Sequence, residues 1–239
     1  MDKPHILITG ASSEIGMALL NKIHGNLDCK LFVTKYSNKH SLMDNDATEI
    51  IADLSNRDEI LEISRKIDGM NITHYIQLQG NSTVDDTIET QSFESLDFNL
   101  TVNLNSTIML LRNILPKMKN SEFGRIVLMN TASSTHGGGY QSFGYGLSKC
   151  GVGFVTQYLG KYYSKYNILT NCVSPGFINT KFHTKIMKRS KETLEQRVKS
   201  IRIRRAGKPI DVAKVIYELA FNNDYISGSN ITIDGADFI

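Results

Sequence analysis

Short apolar runs and longer stretches of three-to-four-residue periodicity take turns along this chain. The short runs fall at residues 6–9, 31–34, 49–52, 74–78, 125–129, 168–173 and 229–233. Runs of this length that stay largely apolar, without strict alternation, read as parallel strands buried on both faces. Among the longer stretches, the first places Ile15, Ala18, Leu19 and Ile23 on one side of a helix, and a second spans 57–67. A third, 93–118, carries Leu96, Leu100, Thr107, Leu110, Leu111 and Leu115, and a fourth, 145–166, carries Val152, Val155 and Leu159. The last opens at Pro209 and Asp211, both N-terminal helix signals, and carries Val212, Val215, Ile216 and Leu219. Alternation of this kind predicts an α/β fold, with one parallel sheet of about seven strands covered by helices on both faces. The pattern continues without linkers, repeats or low-complexity tracts, so residues 1–239 are expected to form a single domain.

Composition narrows this further. A hydrophobic content of 41% beside 21% charged residues is that of a chain with a core rather than a disordered one. Residues 1–4 offer no targeting signal and no apolar run approaches a membrane span, so a cytoplasmic protein without a membrane partner is expected. Cys29, Cys150 and Cys172 are widely spaced and show no metal-ligand pattern. They are expected to be reduced, mostly buried thiols, with no metal bound. The net charge of +3 is unevenly spread: residues 181–208 hold eleven basic side chains and two acidic ones, leaving the rest of the chain net acidic. That segment lacks interleaved aromatics, so a nucleic-acid partner is not expected; an anionic substrate and a solvated helix both remain open.

Candidate chemistry gathers at the ends of the apolar runs. After the first, Gly10-Ala-Ser-Ser-Glu-Ile-Gly16 turns into a helix. Such a turn aims backbone N–H groups, here around Ser12, Ser13 and Ile15, and the positive helix end at an anion, while glycine lets a phosphate come close. A tight connection that binds nothing is the alternative. The second run ends in Lys35, Tyr36, Ser37 and Lys39, where a dinucleotide fold reads the adenosine ribose; with no acid in that stretch, the cations favour NADP over NAD. Asp53 with Leu54 would border the adenine, and Gly80 would let the chain pass close to the cofactor. Asn103 interrupts an apolar helix face, as a satisfied core amide or a functional one. The densest stretch is 124–150, a strand, a hydroxyl-rich loop and a helix bearing Tyr145 and Lys149 one turn apart. A cation beside a phenol stabilises the phenolate, so Tyr145 reads as an acid or base near neutral pH.

Taken together and in order, Thr9-Gly10-x-x-x-Glu14-x-Gly16, Asp53-Leu54, Asn103, Tyr145-x-x-x-Lys149 and Pro175-Gly176 with Thr180 resemble the short-chain dehydrogenase/reductase family over essentially the whole chain. The likeness is greatest to bacterial 3-oxoacyl-carrier-protein reductases and related ketoreductases. The resemblance implies a Rossmann-type doubly wound sheet and an NAD(P)-dependent oxidoreductase, NADP favoured and NAD possible, that moves a hydride between nicotinamide and a carbonyl or alcohol carbon. It implies Tyr145 as the proton donor, Lys149 on the nicotinamide ribose and as a bias toward the phenolate, and Asn103 near a relay water. Pro175, Gly176, Ile178 and Thr180 would orient the nicotinamide. Three departures accompany it: Glu14 where the family has glycine, Gln77-Leu78-Gln79-Gly80 where it has Asn-Asn-Ala-Gly, and a loop shifted by a residue. The family's catalytic serine therefore falls to Thr131 or to Ser133, with Thr131 favoured. Residues 181–208 occupy the family's substrate lid, expected to meet a small-molecule or thioester carbonyl substrate, possibly anionic, such as a carrier thioester or a nucleotide-linked sugar. A homodimer or homotetramer is expected by analogy. The altered 77–80 motif, together with the open choice between Thr131 and Ser133, also keeps open a catalytically silent cofactor-binding regulator or scaffold.

Overall fold

A computed structural model describes residues 3–36, 42, 47–83 and 87–237. Strands β1 (His5–Thr9), β2 (Lys30–Lys35), β3 (Ala47–Ile51), β4 (His74–Gln77), β5 (Gly124–Met129), β6 (Ile168–Pro175) and β7 (Asn230–Ile233) form one sheet in the order β3-β2-β1-β4-β5-β6-β7. Every pairing is parallel. All seven apolar runs are therefore strands, as their length and β-branching predict.

Side-chain alternation along the central strands divides the core into two layers. Ile6 and Ile8 face one side, where α1 (Glu14–His24) and α7 (Pro209–Tyr217) contribute Leu19, Leu20, Ile23, Val212 and Ile216. Leu7 faces the other, beneath α2 (Arg57–Asp68), α4 (Ser106–Asn120) and α5 (Phe143–Tyr163), which supply Ile60, Ile63, Leu110, Ile114, Val152 and Leu159. Burying each such side chain fully contributes about 1.5–3 kcal/mol, which is why the central strands have no polar face to spare.

The stretch predicted as one helix, 93–118, is broken. It consists of α3 (Phe93–Leu100), a wide π-helical turn Thr101–Asn105, and α4. Asn103 sits in the wide turn and has no exposed surface. A π turn holds an extra residue and is found more often than chance at functional sites. The basic segment contains a second wide turn, Phe182–Ile186, followed by α6 (Lys191–Ser200). Of the three thiols only Cys172 is buried; Cys29 is partly exposed and Cys150 exposed, which corrects the expectation for those two. Among the described residues no helix is long and apolar enough to cross a membrane, and no cluster of metal-ligating side chains occurs.

Strand order decides where a site can form. From β1 the chain winds outward through β2 and β3, then returns to lay β4 on the opposite side of β1. A crevice opens at such a reversal, at the carboxyl ends of the strands. Thr9, Gln77, Met129 and Pro175 end their strands at that edge.

Candidate active site

Gly10 and Gly16 shape the turn between β1 and α1. Gly10 has a φ of +72°, and a Cβ there would stand 2.4 Å from the backbone nitrogen of Gln79; at Gly16 it would stand 2.3 Å from the Ala11 carbonyl oxygen. Larger residues fit neither place. Ser13 caps α1, its Oγ accepting the Gly16 N–H at 3.0 Å. Glu14 opens the helix, where a carboxylate suits the positive end. Its side chain accepts the N–H of Lys181 at 2.9 Å, tying the glycine turn to the start of the basic segment.

The altered 77–80 segment has structural work of its own. Gln77 accepts the Met129 N–H at 2.8 Å and donates to the Gln79 carbonyl at 2.8 Å, joining β4 to β5 beyond their last ladder bond. Gln79 accepts from the Thr9 hydroxyl and donates to Ser106 and Thr107 at 3.1 and 3.2 Å, locking the end of β1 to α4. Asn103 clamps the next residue, its Oδ1 accepting the Asn81 N–H at 3.0 Å and its Nδ2 donating to the Asn81 carbonyl at 2.9 Å and to Ser148 Oγ at 3.1 Å. These buried amides have partners, so they stiffen the loop instead of burdening it.

At the crevice lies a cavity of about 500 Å³. Of the residues singled out in the sequence, Ser13, Ile15, Gly80, Thr131, Ser133, Tyr145, Lys149, Pro175, Gly176, Ile178 and Thr180 line it. Gly10, Gly16, Asp53, Leu54 and Asn103 do not line it; Ser12 and Tyr36 are exposed. Asp53 spends one carboxylate oxygen on its own turn, accepting from Ser55 N–H and Oγ at 2.8 and 2.6 Å. Ser37 and Lys39 lie outside the described residues. Lys35 departs from expectation: it is 4% exposed and ion-paired with Glu49 on β3, so its charge is already answered within the protein.

Burial governs the two titratable groups of the centre. Lys149 has no exposed surface and donates to the Met129 carbonyl at 2.8 Å and more weakly to that of Gln79 at 3.5 Å; loss of water pushes its ammonium down to about 7. Burial likewise pushes the Tyr145 phenol up to about 12, against the pull of a hydrogen bond with the Thr131 side chain. Lys149 Nζ stands 5.9 Å from the Tyr145 ring centre. The bias toward phenolate expected from Lys149 is thus outweighed by the burial of the phenol itself. A phenol that keeps its proton, held by a second hydroxyl, is equipped to donate it.

Two features bear on whether a nicotinamide cofactor fits. Asn130 Oδ1 is buried at the cavity wall without a hydrogen-bond partner among the described residues. At Gly80 a Cβ would clear its neighbours by ordinary contact, 3.6 Å from Lys149 Nζ and 3.7 Å from Asn103 Oδ1. The protein thus leaves both an acceptor and a space, and these accompany an anion-suited helix start, so the residues present fit such a group. Sequence reasoning placed residues 181–208 at the substrate without singling out Arg189, His183 or Phe182, all on the cavity wall. The Phe182 ring lies 5.8 Å from that of Tyr145, a contact that nothing in the local pattern announces.

Comparison with known proteins agrees with this fold. A family model described as "Enoyl-(Acyl carrier protein) reductase" matches residues 33–235. The chain is 30% identical over 243 residues to a 3-oxoacyl-[acyl-carrier-protein] reductase of Thermotoga maritima, covering 96% of this chain and 95% of that one. It is 28% identical over 236 residues to the enzyme of the same name from Rickettsia prowazekii, covering 96% and 94%. In three dimensions it resembles YwfH, an NADPH-dependent reductase involved in bacilysin biosynthesis, with a TM-score of 0.87, 22% identity and 99% of each chain covered.

Proposed function

Because the chain belongs to the short-chain dehydrogenase/reductase family, an NAD(P)-dependent oxidoreductase class acting on small molecules, we propose that it interconverts a carbonyl and an alcohol at Tyr145. The observation that carries this reading is the meeting of Tyr145, Thr131 and Lys149 in one cavity with Ser13 and Pro175. The nicotinamide, when bound, supplies or accepts the hydride. The start of α1 would receive the pyrophosphate, with Asp53 and Leu54 toward the adenine and Pro175, Gly176, Ile178 and Thr180 toward the nicotinamide. Lys149 would hold the ribose hydroxyls, and Thr131 and Tyr145 the substrate oxygen. As negative charge grows on that oxygen, the Tyr145 O–H delivers its proton and the Thr131 hydroxyl donates a hydrogen bond. Asn103 acts from behind, fixing the loop at Asn81.

We assign NADP as the favoured cofactor, supported by the name of the similar reductase and by Lys39 and Ser37 in sequence; Lys35 no longer supports it. The partners of Gln77 and Gln79 account for the altered motif in structural terms, which weakens one of the two grounds for a silent scaffold. Tyr145→Phe should lower turnover of a ketone panel by at least about 10³-fold while NADPH fluorescence still reports binding. Undiminished turnover would remove Tyr145 from the mechanism, and tighter binding of NADH than NADPH would reverse the cofactor assignment.

A further inference from the structure

Eleven basic side chains lie within residues 181–208, yet only Arg189 and Arg197 line the cavity; the other nine are exposed. Arg197 is engaged. Both oxygens of Asp237, a side chain 1% exposed, meet its guanidinium, with Arg197 Nη1 donating to Oδ1 at 2.6 Å and to Ser200 Oγ at 2.9 Å. Arg189 is half-buried, and no described carboxylate lies within ion-pair distance of it. Its Nη2 lies 4.0 Å from the place a Cβ at Gly139 would occupy, on the loop that leads through Ser142 into α5 and Tyr145.

The cavity wall is mostly apolar. Phe177, Phe182, Met187 and Leu194 contribute to it, and His183 is neutral near physiological pH because burial pushes it down to about 4. A half-buried guanidinium on the cavity wall without a counter-charge is suited to an anionic ligand, and its planar fork matches a carboxylate with two parallel bonds. A cavity of about 500 Å³ shared with a nicotinamide leaves room for a small body only.

We infer that the substrate is a small oxo or hydroxy acid, its reactive carbon at Tyr145, its apolar chain along Phe182 and Met187, and its carboxylate on Arg189. The inference takes the reacting end from the function proposed above, while the anion's place rests on Arg189 alone. A carrier thioester would differ in having no free carboxylate for Arg189 to read.

Isothermal titration of hexanoate and of hexanamide into the protein, with and without saturating NADP, tests this without knowledge of the natural substrate. The wild-type protein should bind hexanoate at least about 10-fold tighter than hexanamide. Arg189→Gln should abolish that preference, and Arg189→Lys, which keeps the charge but loses the fork, should reduce it. Lys188→Gln, which changes an exposed cation off the cavity wall, should preserve it. Equal affinities, no binding of either probe, a preference that survives Arg189→Gln, or one lost equally in Lys188→Gln would each overturn the inference. Failure of NADP and NADPH to bind, with the carboxylate preference intact, would instead sink the oxidoreductase reading and leave Arg189 its role.

Discussion

Lys149 exchanges water for two carbonyl oxygens, and the exchange is unfavourable to its charge, as the fall from 10.5 to about 7 records. Between those two pH values the unfolded chain holds this proton more firmly than the folded one, so stability rises with pH across the window. The cost is fully present below about 7 and gone above 10.5. Lys149→Met should therefore stabilise the fold by about 1–3 kcal/mol near pH 6, less near pH 9.5, while removing activity; urea midpoints at the two pH values check it. An equal midpoint shift at both would mean that packing, not ionisation, decides. Other residues show what sequence spacing leaves undetermined. Counting from either end of the 124–150 stretch gives Thr131 or Ser133, because a loop of altered length moves both counts; both line the cavity, and the pull of the Thr131 side chain on the Tyr145 phenol supports Thr131. Lys35 was misread because its partner is fourteen residues away on a neighbouring strand. Parallel pairing sets Glu49 against Val33, and from there it reaches Lys35.

At the scale of elements, every strand and most helices were legible because burial on both faces writes itself into composition. The break in 93–118 was not, since Thr101, Val102, Asn103 and Leu104 are compatible with ordinary helix; the extra residue serves a partner, Asn81, twenty-two positions away. The link between α1 and the basic segment was equally hidden. Glu14 departs from the family's glycine, and its carboxylate reaches Lys181 across 167 residues of chain. A hydrogen bond to a charged acceptor contributes about 1.5–3 kcal/mol net, less at an exposed position such as this. Loss of that bond in Glu14→Ala should speed hydrogen exchange at the Lys181 amide and through Phe182–Ile186 by about 3–10-fold, with α2 unchanged. Unaltered exchange at Lys181 and through Phe182–Ile186 would show that Glu14 does not hold that segment.

For the whole molecule, the strand order was not readable from the runs themselves, but it follows from the family's topology and brings the ends of β1, β4, β5 and β6 to a single edge. That edge is used by the cavity; the outer face of α5 is not. There Leu147, Phe154, Tyr158 and Tyr162 are 46%, 68%, 48% and 49% exposed, at spacings that keep them on one side of the helix, and the Tyr158 and Tyr162 rings touch at 4.8 Å between centres. Scattered exposed aromatics are ordinary, whereas an aligned stripe on a helix of 21 residues is a surface suited to a second copy of itself. Since α5 also carries Tyr145 and Lys149, pairing through this face would stiffen the helix that positions them. The chain should therefore sediment as a dimer or tetramer. Phe154→Glu combined with Tyr158→Glu, which places like charges across a two-fold axis, should raise the dissociation constant by at least about 100-fold. A monomeric parent, or an assembly indifferent to both charges, would show that the stripe is not the contact.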